Sequence, residues 1–168
     1  AVGRFMEEAR KRPWFDDTVF VFVADHGASS SGREEIKPGN HHIPLIIHAP
    51  KLIRPERHDL PISQIDAVPT LLSLLRFLYV GDFYGMNARD PRYVSRYFLS
   101  NYQKLAYTKG QDSVIMRPVR GVHFYRDGHQ IGAAEAAKAG DRVQAPDAAL
   151  QEVLEEGISY YQHAARWR

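Results

Sequence analysis

The chain has 168 residues, 44% of them hydrophobic, which is enough apolar content for one domain with a packed core and excludes a disordered tail. Its 22 basic and 20 acidic residues nearly cancel to a formal charge of +2 and form no dense Lys/Arg block, which argues against nucleic acid as a partner. Cysteine is absent, excluding disulfides and thiolate metal sites, and the longest apolar stretch, residues 67–80, is broken by Arg76 and is shorter than the roughly 20 residues of a membrane-spanning helix.

Residues 2–11 carry the spacing of an amphipathic helix, with Val2, Phe5, Met6 and Ala9 on one stripe and Arg4, Glu7, Glu8 and Arg10 on the other. Pro13 ends it, and residues 14–17 form a tight connection in which Trp14 and Phe15 are packing residues. Residues 18–27, TVFVFVADHG, are β-branched and aromatic without polar alternation. That is the pattern of a strand buried on both faces, as in a parallel sheet covered by helices. The run ends in an acid, an imidazole and a glycine. Ligands of open α/β sheets collect just outside the carboxyl ends of the strands, so Asp25 and His26 sit where a site is expected. An adjacent carboxylate and imidazole suit a divalent cation; the same pair is also read as a turn-capping Asp beside a solvated His.

The loop that follows, residues 28–40, is small and polar. Its serines at 29–31 supply neither a base nor a rigid elbow, so they are not read as a nucleophile. Lys37 can reach an anionic group or simply be solvated. His41 and His42 then enter a second apolar strand that Pro50 stops. Adjacent residues in an extended chain point to opposite faces, so only one of the two faces a site. His42 is the candidate, hydrogen-bonding a substrate oxygen or protonating a leaving group, and the alternative is a histidine bonded to backbone at the strand entrance. His41 and His48 are given structural roles, His48 as a satisfied polar residue inside an apolar strand.

A charged loop over residues 51–60 leads to a helix at 66–77, with Val68, Leu71, Leu72 and Leu75 facing the sheet. Asp66, ahead of Pro69, reads as a cap or first-turn acid in preference to a metal ligand. Residues 78–98 are rich in aromatics with no clean period, an ordered irregular segment. Residues 102–109, 113–117 and 122–126 are short strands of an antiparallel meander, with turns at Lys109-Gly110 and Arg126-Asp127-Gly128. The Ala-rich residues 132–140 read as a loop or short helix. A final helix opens at Pro146-Asp147 and runs to about residue 165, with Ala149, Leu150, Val153, Leu154, Ile158 and Tyr161 inward. The whole is one partial domain, with an α/β part at 1–78 and the meander plus closing helix at 99–168.

Three ordered motifs, ADHG, HHIPLIIHAP and SQIDAVPTLLSLL, resemble the C-terminal part of the sulfatase branch of the alkaline phosphatase superfamily. The chain is most similar to the lipoteichoic-acid-synthase-like membrane members, over residues 5–75 and more loosely at NYQKL, residues 101–105. The resemblance implies the C-terminal part of an alkaline-phosphatase-like three-layer α/β sandwich, with a small antiparallel sheet and a C-terminal helix. It implies a metal-dependent hydrolase or transferase of phosphate or sulfate esters, working through a covalent intermediate on Thr, Ser or formylglycine. One or two divalent ions (Mn, Mg, Zn or Ca) are implied as cofactors. By position Asp25 and His26 match late metal ligands, and His42 matches a histidine near the substrate's anionic group. The family's nucleophile and first acidic ligand lie upstream of these motifs. The expectation is therefore a C-terminal portion of a longer, membrane-anchored protein with an extracytoplasmic catalytic domain, whose anchor and nucleophile precede Ala1. The competing expectation is a catalytically inert structural or interaction module.

Overall fold

The computed structural model describes residues 1–27, 35–136 and 141–166. Helix α1 spans Val2–Ala9 and buries Ala9, with Met6 packed beside it. It stops short of its sequence pattern because the backbone already turns toward Pro13. The Arg12 N–H donates to the Ala9 carbonyl at 2.9 Å and the Phe15 N–H to the Arg12 carbonyl at 3.1 Å. This turn drops Phe15 into a cluster with Ala9 and Phe20, its ring centroid 5.3 Å from that of Phe20, and so aims strand β1, Phe20–Val23.

Strand β1 pairs antiparallel with β2, Leu45–His48, in the register Phe20↔His48 to Val23↔Leu45. The parallel, doubly covered strand expected at 18–27 is not what forms among the described residues. Phe20 is buried, whereas Val21, Val23 and Ile46 are 39%, 47% and 54% exposed. An unbroken apolar run records that both faces are apolar; it carries no information on the direction of the neighbouring strand or on what lies over each face.

Helix α2, Ala67–Leu74, follows a 3₁₀ turn at Gln64–Asp66. It ends before residue 77 because Arg76 takes a left-handed φ of 57°, and Phe77 folds back to donate its N–H to the Leu72 carbonyl at 3.0 Å. Pro69 and Thr70 form its buried side, Leu71, Leu72 and Leu75 are half-buried, and Val68, expected to pack, is 50% exposed. Residues 78–94 are irregular, as read from sequence, and are tied to α2 by polar contacts. The Ala88 N–H donates to the Thr70 hydroxyl at 2.9 Å, and the Asn87 side-chain amide to the Ser73 hydroxyl at 2.9 Å.

The second sheet is an antiparallel meander of five strands in sequential order: β3 Arg96–Ser100, β4 Leu105–Lys109, β5 Asp112–Met116, β6 Gly121–Arg126 and β7 His129–Glu135. The turns fall where the sequence places them. Asp127 and Gly128 both adopt positive φ, 51° and 78°, the two-residue geometry whose twist matches a hairpin. Strands β3 and β7 are corrections. The first lies at the edge of the aromatic-rich irregular stretch, and the second takes residues 132–135 that the Ala-rich composition assigned to a loop or short helix. Pairing with β6, from Gly121↔Glu135 to Arg126↔His129, imposes the strand on residues of low β propensity. The remainder of the Ala-rich stretch, 137–140, lies outside the described residues.

Helix α3, Ala148–Arg166, covers one face of this sheet. Leu150, Val153 and Leu154 meet Tyr107, Val114, Val122 and Phe124 in the main core. Gly157 passes so close to β4 that an added Cβ would stand 2.9 Å from the Tyr107 Cβ. Tyr161 donates its hydroxyl to the Ala106 carbonyl at 3.0 Å, and burial pushes its pKa up to about 12. Ala149, expected inward, is exposed, because the buried stripe of the helix runs through Leu150, Val153, Leu154 and Gly157 and Ala149 lies to one side of it. Leu154→Ala is expected to cost about 2–5 kcal/mol in urea denaturation, since Leu154 is fully buried within the main core; a loss below about 1 kcal/mol would contradict this description of the core. On the opposite face Ile36 packs against Ala106 and Ile115. The α/β class, the small antiparallel sheet and the closing C-terminal helix thus match the sequence expectation. Among the described residues no helix is long and apolar enough to cross a membrane.

Candidate active site

Beyond Val23 the chain leaves β1 in a turn through Ala24, Asp25, His26 and Gly27. Asp25 accepts the His26 N–H on Oδ1 at 3.0 Å, which turns its other oxygen, Oδ2, to within 3.6 Å of His26 Nε2. The His26 ring fixes its own tautomer. Nδ1 lies 2.9 Å from the Gly27 carbonyl, which can only accept, so Nδ1 carries the proton and Nε2 of the neutral ring presents a lone pair. Both side chains reach into open space, 89% and 69% exposed for Asp25 and His26. Two donors held about 2.0–2.2 Å from one tetrahedral ion stand roughly 3.4 Å apart, so the observed separation suits a single shared cation. The chemistry of the two donors fits a divalent metal, and two donors are fewer than such an ion takes. Among the described residues no cluster of three or more His, Asp or Glu forms.

Gly27 brings the histidine segment to this turn. A Cβ at residue 27 would stand 2.0 Å from the Asn40 carbonyl oxygen, so the 3₁₀ turn Pro38–His41 rests directly on the glycine backbone. Gly27→Ala is expected to separate the two segments, seen as amide chemical-shift changes at residues 26–27 and 40–42, because a backbone carbonyl has no rotamer into which to retreat. His42 follows that turn with an exposed imidazole. His41 points the other way, with Nδ1 3.1 Å from the Lys37 carbonyl and Nε2 3.3 Å from that of Ser100, the structural role its alternation with His42 predicts. His48 is a correction: instead of a satisfied polar residue it is an aromatic plate 6.1 Å from the Phe15 ring and 6.2 Å from that of Phe20, and its buried Nε2 has no hydrogen-bond partner among the described residues. The serines at 29–31 lie outside the described residues.

Asp66 is fully buried and belongs to the scaffold. Its carboxylate accepts from the Ser63 N–H at 3.1 Å, closing a capping box, from the Met86 N–H at 2.7 Å, from the Tyr93 hydroxyl at 2.7 Å and from Arg96 Nη1 at 2.9 and 3.1 Å. No lone pair remains for a metal. Burial works against the Arg96 cation, but the hydrogen bonds it donates to Asp66 and Tyr160 more than offset it and its pKa rises. Burial, followed by the Asp66 hydrogen bond, pushes the Tyr93 phenol well up. In the same 3₁₀ turn, Gln64 Nε2 donates to the Ala24 carbonyl at 2.8 Å, with the Asp25 carbonyl at 3.5 Å.

Sequence reasoning passed over Gln64, Tyr93, Arg96 and the ion pair of Lys104 with Glu35, at 2.8 Å. The Ser63-x-x-Asp66 spacing was the available signal for the locked turn; Arg96, thirty positions on, gives no local sign of its partner. The NYQKL motif has a physical reason: Asn101 Oδ1 accepts the Lys104 N–H at 2.9 Å, and the almost buried Lys104 reaches Glu35 at the far end of the polar loop.

A sequence profile of the sulfatase family matches residues 1–77. The first 77 residues are sulfatase-like. This segment holds Asp25, His26, Gly27, His42, Gln64 and Asp66, whereas Arg96 and Lys104 lie beyond it. The chain is 28% identical over 82 residues to the uncharacterized sulfatase YdeN of Escherichia coli K12, covering 42% of this chain and 15% of that protein. It is 30% identical over 80 residues to an endo-4-O-sulfatase of Bacteroides thetaiotaomicron, covering 44% of this chain and 16% of the relative. The matched segment thus spans about one sixth of the length of these curated relatives.

Proposed function

We propose that the chain contributes the late metal ligands of a divalent-cation-dependent enzyme that hydrolyses or transfers sulfate or phosphate esters, as a C-terminal portion of its catalytic domain. The observation that carries this reading is the pairing of Asp25 Oδ2 and His26 Nε2, 3.6 Å apart at the end of β1, inside the segment similar to sulfatases. A bound divalent ion would polarise the ester and favour the anionic nucleophile. Asp25 supplies charge and His26 a neutral nitrogen whose tautomer the Gly27 carbonyl sets. His42, exposed and one residue beyond the 3₁₀ turn that rests on Gly27, would donate a hydrogen bond to an ester oxygen or a proton to the leaving group. The nucleophile is assigned to no residue of this chain. Similarity to two sulfatases favours sulfate esters, and the likeness to the lipoteichoic-acid-synthase-like branch favours phosphate esters and a membrane-anchored, extracytoplasmic setting.

The test is hydrolysis of 4-nitrophenyl sulfate and bis(4-nitrophenyl) phosphate by the gene product carrying this chain. Turnover that a chelator abolishes and added Mn²⁺, Mg²⁺, Zn²⁺ or Ca²⁺ restores is the expected result, and the faster ester names the substrate class. Turnover indifferent to chelation would overturn the metal reading, and absence of any turnover would favour the inert module.

A further inference from the structure

We infer that Gln64 is a positioning residue for Asp25 and His26, holding the end of β1 from a turn locked into the second sheet; this rests on the reading of those two residues as metal ligands. The two ligands point into open space, and the hydrogen bonds they make with each other and with Gly27 are local to residues 25–27. Such a turn does not by itself keep a carboxylate and an imidazole in a fixed relation. Gln64 reaches it from forty residues away, donating Nε2 to the Ala24 carbonyl at 2.8 Å. That bond fixes the plane of the 24–25 peptide, and with it the direction in which the Asp25 side chain leaves the backbone.

The base from which Gln64 projects is rigid. Ser63 is 6% and Asp66 0% exposed, on either side of it. Gly85 presses on the intervening backbone, where a Cβ would stand 1.9 Å from the Ile65 carbonyl oxygen. Asp66 in turn is clamped by Arg96, the first residue of β3. The connection therefore runs by hydrogen bonds from Arg96 of the five-stranded sheet to Asp66, along the covalent backbone of the 3₁₀ turn to Gln64, and by a further hydrogen bond from the Gln64 amide to the carbonyl next to Asp25. Partners that orient metal ligands typically change affinity 10–100-fold when removed.

Gln64→Met keeps the length of the side chain and removes the donor. By NMR of the whole chain, with Mn²⁺ alone as the probe, the variant is expected to keep the wild-type thermal midpoint while the amides of Asp25, His26 and Gly27 lose order. The Mn²⁺ concentration that half-broadens the His26 ring signals should rise about tenfold. Wild-type order and wild-type Mn²⁺ titration in Gln64→Met would overturn the inference, as would a midpoint that falls as far as that of Asp66→Asn, which would make Gln64 part of the core structure only. Asp25→Asn is the control that separates the two levels. If wild type binds Mn²⁺ at these residues no better than Asp25→Asn, the metal reading fails and the inference with it. If wild type binds, Asp25→Asn does not, and Gln64→Met matches wild type, the inference alone fails.

Discussion

Asp66→Asn is expected to destabilise the chain by about 3–5 kcal/mol, a large share of the roughly 5–15 kcal/mol that holds a domain of ordinary stability together. The side chains of Arg96 and Asp66 are 3% and 0% exposed, so the guanidinium has no route to water if the carboxylate is lost. Asn keeps the shape but not the chemistry. Oδ1 faces the Met86 N–H and Arg96, and Oδ2 faces the Ser63 N–H, the Tyr93 hydroxyl and Arg96, so either orientation of the amide sets an NH₂ against donors. Tyr93→Phe removes a single donor and should cost only about 1 kcal/mol. The contrast between the two in urea denaturation reads the role of the charge. Asp66→Asn within about 1 kcal/mol of wild type would mean that the buried pair does not organise the junction between α2 and β3.

Asp25→Asn is expected to lower kcat/KM for the ester by about 100-fold or more, above the range seen when only the orientation of a ligand is disturbed, while leaving the thermal midpoint where it was. The two halves of this expectation have separate causes. The carboxylate is 89% exposed, and its local bond to the His26 N–H survives in an amide oxygen, so folding scarcely registers the change. Metal binding does register it, because the neutral amide gives up the negative charge that offsets dehydration of the cation. The loss should be partly recovered at saturating metal. Near-normal turnover at limiting metal would remove Asp25 from the ligand set.

The contrast between Asp25 and Asp66 explains why the candidate ligand pair is legible in the sequence and the scaffold behind it is not. Asp25 and His26 are neighbours at the end of a strand, so composition, spacing and location coincide in four letters. Asp66 looked like a helix-terminal acid from its surroundings, and that local role is present in the bond to the Ser63 N–H. Its larger role depends on Met86, Tyr93 and Arg96, which approach only when the irregular segment folds back, and no periodicity carries that information. His48 differs for the same reason: a polar residue in an apolar strand implies a partner, but the Phe15 and Phe20 rings around it are a tertiary fact.

Strand content divides along the same line. Gly110, Asp127 and Gly128 mark their turns because positive φ is a local requirement that few residues meet, so the meander could be read directly. The Gly-Ala-Ala-Glu end of β7 has no such signature and becomes a strand by pairing with β6. By itself the sequence determined the α/β class, the acid and imidazole at the end of β1, the turns of the meander and the closing helix, because each follows from residues close together in the chain. The tertiary structure alone decided that β1 and β2 run antiparallel, that Gly27 seats the His42 segment, and that the Asp66–Arg96 pair and Gln64 connect the second sheet to the candidate ligands. Those depend on groups tens of residues apart, whose meeting is fixed by packing and not by any local preference.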